Sequence, residues 1–193
     1  MGFKIYFNLM ILKTIEDLTI LESERLVLKP LSKSFLSMEY VNWMNDPIVV
    51  RFIESGGNYD IKKLRNFLTE AEKKPKYFWS IVVKKGDIHI GNIKIDPINF
   101  KDHNGGYGIL IGNKKFWGHE YGKEASNLVI KHCFDDLNLK KIILGVNAEN
   151  KAALKLYKKL GFVQEGRLKQ HLNFENNYVD QLIFSIFNSK LEK

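Results

Sequence analysis

The stretch Phe116-Trp117-Gly118-His119-Glu120-Tyr121-Gly122-Lys123-Glu124-Ala125 opens a long helical pattern just after the apolar run Gly108-Ile109-Leu110-Ile111. Ala125, Leu128, Val129, His132, Cys133 and Leu137 recur at three- and four-residue steps, which commits the segment to a helix with one buried face. A strand, a short glycine-containing turn and a helix leave backbone N–H groups free at the helix start, where an anion is favoured. Gly118 and Gly122 carry no Cβ, so a bulky pyrophosphate could approach the backbone closely, although two glycines four apart also suit a plain strand-to-helix turn. A phosphate-bearing ligand is the expected guest.

The rest of the chain supplies a sheet for that helix to cover. Arg25–Leu31 alternates in polarity and reads as a strand ended by Pro30. Helical stretches are expected over Lys33–Met44 and Ile61–Lys73. Phe78–Val83 and Ile88–Ile95 read as a hairpin about Lys85-Gly86-Asp87, and a third strand, Gly106–Ile111, should follow a loop from Asn99 to Gly105. Beyond the central helix come a short buried strand, Lys141–Asn147, and a helix from Asn150 to Leu160. Asn150 suits its N-cap and Gly161 its C′ position. Phe162–His171 and Tyr178–Phe187 read as a closing antiparallel pair. The pattern specifies an α/β fold with a mixed, mostly antiparallel central sheet flanked by helices. At 193 residues it fits one domain with a sizeable core, read as 24–193 preceded by an N-terminal extension over 1–23.

The first twenty residues are apolar at Phe3, Ile5, Phe7 and Leu9 but contain Lys4, Glu16 and Asp17, with neither a cleavage site nor a membrane-spanning run. Met10 leaves two candidate starts. The single cysteine, Cys133, forms no internal disulfide, suits a reducing, cytoplasmic setting, and sits on the apolar helix stripe as a core residue rather than a nucleophile.

Three segments together resemble the GNAT superfamily of acetyl-CoA-dependent N-acetyltransferases: Trp117–Ala125, Asn147-Ala148-Glu149-Asn150, and Leu156-Tyr157-Lys158-Lys159-Leu160-Gly161-Phe162. The similarity runs from about Glu24 to Phe187 and is greatest to the branch of ribosomal-protein alanine and amino-sugar acetyltransferases. It implies acetyl-CoA as co-substrate and no metal. The family's pyrophosphate signature, Gln/Arg-x-x-Gly-x-Gly/Ala, falls on Trp117–Gly122, with Trp117 in place of Gln/Arg, Glu120 in place of the first glycine, and Gly122 retained. The implied cofactor contacts are Ile111, Gly112, Trp117, Gly118, His119, Glu120, Tyr121, Gly122, Lys123, Asn147 and Asn150. A carboxylate at Glu120 would repel a diphosphate unless it turned away; Lys114, Lys115, His119 and Lys123 could offset it.

Tyr157 is the implied catalytic residue, the tyrosine of the family's Asn-x-x-Ala-x-x-x-Tyr-x-x-x-Gly-Phe pattern, which protonates the departing CoA sulfur. It lies seven residues after Asn150, two turns along one face; by spacing alone it is a half-buried amphipathic side chain. Carbonyl polarisation is expected from backbone N–H groups where Gly108–Ile111 splays from the strand ending at Asn147, with Gly105, Gly106, Gly108 and Gly112 as places for a distortion. No general base stands out among Glu54, His89, Asp96 and His103. The turn Trp43-Met44-Asn45-Asp46-Pro47 resembles one that walls the acceptor site in the same branch, though a helix end closed by proline reads the same way.

Thirty Lys and Arg against 22 Asp and Glu give a formal +8, which favours anionic ligands and disfavours a polyamine. The expected acceptor is a small-molecule primary amine such as a nucleotide-linked amino sugar, with Tyr40, Trp43, Tyr59, Tyr77, Phe78 and Trp79 available to stack on a base or sugar. A protein N-terminal acetyltransferase would share the cofactor residues. A nucleic-acid-binding protein is the reading of another class, but no recognition motif accompanies the charge. Neither membrane nor nucleic acid is the expected partner, and a homodimer is left open.

Overall fold

Alternation with period two decides which face of a strand meets which helix, and β3 and β5 of this protein show it directly. A computed structural model describes residues 20–53, 55–73 and 77–191; the expectations for the first nineteen residues and for Glu54 lie outside the described residues. Eight strands form one sheet: β1 (Leu21–Glu22), β2 (Leu26–Pro30), β3 (Tyr77–Val83), β4 (Ile88–Asn99), β5 (Asn104–Ile111), β6 (Lys141–Asn147), β7 (Val163–Phe174) and β8 (Asn177–Phe187). Their order is β1-β2-β3-β4-β5-β6-β8-β7. Every pairing is antiparallel except β5 with β6. A parallel pair needs a crossover, and the central helix supplies it.

The helices are α1 (Met38–Asn45), α2 (Ile61–Lys73), α3 (Tyr121–Asp135) and α4 (Lys151–Lys159). Tyr77, Trp79 and Ile81 of β3 and Ile109 and Ile111 of β5 join the core under α3 and α4. Their neighbours Phe78 and Leu110 join a second core under α1 and α2. Helices therefore cover both faces. Leu26, Leu28, Trp79 and Ile81 are fully buried, and each aliphatic side chain of this size contributes about 1.5–3 kcal/mol by leaving water.

Ala125, Val129 and Cys133 are fully buried along α3, as the stripe requires. Burial pushes the Cys133 thiol up to about 12 and leaves it inert at neutral pH. Asn150 caps α4 by accepting from the Ala153 N–H at 3.1 Å, and Gly161 closes it with φ +88°.

Two expectations are corrected. The helix drawn from Lys33 begins at Met38, because Ser37 caps it through the Tyr40 N–H at 3.1 Å. Lys33–Phe35 is a separate 3₁₀ turn capped by Ser32. The loop drawn from Asn99 to Gly105 spans only 100–103, since β4 and β5 keep pairing out to Asn99 with Asn104.

The distortion expected among Gly105, Gly106, Gly108 and Gly112, in and just after β5, is corrected as well: the bulge lies in the neighbouring β4. Between the pairs Ile95 with Tyr107 and Ile98 with Gly105, β4 advances three residues while β5 advances two. Gly106 accommodates this bulge, for a Cβ there would stand 3.0 Å from the Asp96 carbonyl oxygen.

Candidate functional site

The parallel pairing of β5 with β6 covers only Asn104–Gly106 against Lys141–Ile143. Beyond it the strands part, and a cavity of about 350 Å³ opens in the wedge. One half is walled by Asn147, Asn150, Leu156 and Tyr157 with the strand ends; the other by Tyr40, Phe52, Tyr59, Phe67, Phe78, Asn92 and Lys94. Tyr107 and Gly108 lie on the shared wall.

In the first half, the Asn150 side-chain oxygen is engaged in capping α4, and the Asn147 oxygen accepts from the Glu149 N–H at 2.8 Å. Each keeps its amide NH₂ to donate. Tyr157 is buried between Tyr107 and Phe162, with ring centroids 5.9 and 5.8 Å away. Burial lifts its phenol to about 12, so it stays protonated at neutral pH. Its hydroxyl bonds to no described residue.

The turn before α3 is a second feature, outside the cavity lining. Gly118 has φ +78°, and a Cβ added there meets nothing within 4 Å, so its outer face is open. Glu120, at the N-cap, is itself left-handed with φ 63° and makes no side-chain cap. The N–H groups that open α3 are therefore left for a ligand. The Glu120 carboxylate turns to Lys159 Nζ at 2.9 Å, and this pairing holds it below the usual carboxylate range. Arg25 braces the turn from behind: Nη1 donates to the His119 carbonyl at 3.2 Å, and the guanidinium lies 4.4 Å from the Tyr121 ring centroid and pairs with Glu124. An open left-handed glycine, uncapped N–H groups and an acid held aside fit a diphosphate.

Trp117 and Gly112 have structural work of their own. The Trp117 indole N–H donates to the Ile111 carbonyl at 2.8 Å, pinning the turn to the end of β5. A Cβ on Gly112 would stand 2.3 Å from the Trp43 ring.

One splayed parallel pair, a turn that fits a phosphate and a buried tyrosine at the splay thus gather around β5. The acetyltransferase (GNAT) domain family matches residues 25–163. The chain belongs to the GNAT family. It is therefore an acetyl-CoA-dependent N-acetyltransferase. An uncharacterized N-acetyltransferase p20 of Bacillus licheniformis is 27% identical over 171 residues, 86% of this chain and 94% of that one. A spermidine N(1)-acetyltransferase of Vibrio cholerae is 32% identical over 101 residues, 52% of this chain and 58% of that one. A crystal structure of spermidine N-acetyltransferase from Vibrio cholerae with CoA and spermine superposes with TM-score 0.78 at 23% identity, covering 87% of this chain and 98% of that one. Ribosomal-protein-S5-alanine acetyltransferase from Vibrio fischeri superposes at 0.77 with 19% identity, covering 91% and 100%. The last two likenesses concern the fold.

Within this GNAT domain, Asn147, Asn150 and Tyr157 line the cavity, while Ile111, Gly112 and Trp117–Lys123 gather at the edge of β5 and the start of α3. Of the expected aromatic stackers, Tyr40, Tyr59 and Phe78 reach the cavity; Trp79 and Tyr77 pack on the opposite face under α3, and Trp43 packs on Gly112. His103 lies at the far turn, bonded to the Asn138 carbonyl at 3.1 Å. Asp96 pairs with Lys94 at 3.7 Å. His89 is half-buried among Phe35, Tyr40 and Trp43. Phe52, Phe67, Asn92 and Tyr107 were not singled out from sequence; alternation on β3–β5 places Asn92 and Phe78 on one face and could have found Asn92. Asn45 holds Tyr59 in place through two 2.8 Å bonds to its backbone. Among the described residues no group of His, Cys, Asp and Glu is placed to hold a metal, and no helix is long and apolar enough to cross a membrane.

Proposed function

We propose that this acetyltransferase acts on the primary amine of a small molecule with a neutral or anionic polar body, a nucleotide-linked amino sugar being the leading candidate. One observation carries the reading. The half of the cavity away from α4 is walled by Tyr40, Phe52, Tyr59, Phe67 and Phe78, and Lys94 is the one charged side chain among the described lining residues. Aromatic faces suit a base or sugar, and a lysine suits an anion. A polycation would meet no carboxylate among the described lining residues.

In this reading the diphosphate of acetyl-CoA rests on Gly118–Lys123, and the thioester enters the wedge between β5 and β6. The N–H groups of β5 that point away from β4 polarise its carbonyl. The amine attacks the carbonyl carbon, the C–N bond forms and the C–S bond breaks. Tyr157 gives its proton to the departing thiolate, and the amine's proton leaves to water.

A second reading has independent support: the 32% identity to a spermidine acetyltransferase over half of the chain favours a polyamine acceptor. A CoA thiol-release assay with a nucleotide-linked amino sugar, spermidine and an N-terminal-alanine peptide separates these readings. Turnover of the amino sugar is expected. Turnover of spermidine alone, or a mass shift on the peptide alone, would overturn the amino-sugar reading.

A further inference from the structure

A chain of one half-buried and two buried polar groups ends at the acceptor half of the cavity. His89 Nε2 lies 2.9 Å from the Gly91 carbonyl oxygen and 3.1 Å from Asn92 Oδ1. Asn92 Nδ2 donates to Tyr40 Oη at 2.8 Å. The direction of every bond follows from the first acceptor. A carbonyl oxygen can only accept, so Nε2 carries a proton; the Asn92 atom facing it is then the amide oxygen, and the atom facing Tyr40 is the NH₂. Asn92 fills a lone pair of the phenol, and the Tyr40 O–H must turn elsewhere. It donates to no described residue, and both Tyr40 and Asn92 line the cavity.

We propose that His89 and Asn92 are positioning residues that hold the Tyr40 hydroxyl as a fixed hydrogen-bond donor to the acceptor substrate. This rests on the acceptor occupying that half of the cavity and carrying a hydrogen-bond acceptor beside its amine, but on no particular molecule. A fixed donor needs an oxygen or a lone pair on the substrate beside its amine. A sugar hydroxyl or a peptide carbonyl offers one, whereas a fully protonated polyamine presents only donors, so the chain selects between the acceptor classes. Buried polar groups of this kind discriminate strongly because a ligand that cannot pair with them leaves them unsatisfied.

The relay has a signature that needs no acceptor. A long-range ¹H–¹⁵N spectrum of the His89 ring at pH 7 should show the neutral form with its proton on Nε2; a proton on Nδ1 alone would overturn the proposal. In kinetics, Tyr40→Phe should raise the KM for the acetylated amine by roughly 3–10-fold, the size of one neutral hydrogen bond, with the acetyl-CoA Kd unchanged by calorimetry. Asn92→Asp keeps the acceptor for His89 but puts an acceptor opposite Tyr40, which draws the phenol proton away from the cavity. Its effect on acceptor KM should match that of Tyr40→Phe, and the double substitution should add nothing. An unchanged acceptor KM in folded Tyr40→Phe, or two effects that add, would sink the relay. The same amino-sugar, spermidine and peptide probes keep the outcomes separate: if the peptide alone is turned over and Tyr40→Phe raises its KM, the relay stands and the amino-sugar reading falls, whereas turnover of spermidine alone would sink both.

Discussion

Lys159 Nζ stands 2.9 Å from Glu120 Oε1 and ties the last turn of α4 to the residue that opens α3. The pair answers the electrostatic problem raised by an acid at a position where the family signature has glycine, because the carboxylate faces a lysine instead of the proposed phosphate seat. The left-handed backbone that Glu120 holds, φ 63°, is one that glycine adopts without strain. Glu120→Gly should therefore leave acetyl-CoA affinity equal or raised, and leave the melting temperature equal or higher. A clear loss of affinity by calorimetry would give the carboxylate a positive role in binding.

Gly118 lies in the same turn, in the left-handed region. An alanine side chain has room, but φ +78° makes it cost about 1–2 kcal/mol. Gly118→Asp adds a negative charge where the diphosphate is proposed to sit. Acetyl-CoA affinity should fall well below that of Gly118→Ala; equal affinities in the two folded variants would place the diphosphate elsewhere.

Tyr157→Phe keeps the ring packed against Tyr107 and Phe162 and removes only the hydroxyl. With the phenol lifted to about 12, the wild type should retain its proposed proton donor throughout the neutral range. The variant's kcat should drop by about 10²–10⁴, the usual contribution of a positioned acid, with little change in acetyl-CoA Kd. Wild-type turnover, measured with chemistry rate-limiting, would leave water as the proton source.

Gly112→Ala tests packing, not binding. A Cβ placed 2.3 Å from the Trp43 ring must move the ring or the strand end, and overpacking of this kind costs about 1–3 kcal/mol. The melting temperature should fall by several degrees. An unchanged melt would mean that the Trp43 ring gives way freely.

Glu124 gives a pH dependence with a definite sign. Burial by itself would raise its carboxyl, but hydrogen bonds from Ser23 Oγ, the Arg25 guanidinium and the Arg25 N–H outweigh that and hold it below its usual 4.5. A folded-state pKa below the unfolded value stabilises the fold above 4.5, and that contribution is lost as pH falls through the folded value. The melting-temperature gap between wild type and Glu124→Gln should be full at neutral pH and close in acid; a gap independent of pH would assign the loss to packing.

Local signals made much of the architecture legible. The stripe Ala125–Val129–Cys133, the Asn150 cap, Gly161 at its C′ position and the hairpin about Gly86 each depend on residues within a turn or two, where period and backbone preference act directly. The family followed from three short segments. Caps that competed over a few residues were less legible, as Ser32 and Ser37 show by splitting one expected helix into a 3₁₀ turn and α1.

Tertiary structure alone decided what meets across the sheet. Tyr40 and Asn92 are 52 residues apart, Arg25 and Glu124 are 99 apart, and Glu120 reaches Lys159 across 39. No periodicity records such pairs, because they depend on strand order, on the register that the bulges of β4 set, and on where β5 and β6 stop pairing. Sequence determined which residues could donate, accept or pack; the register and splay of the sheet determined which of them share a cavity.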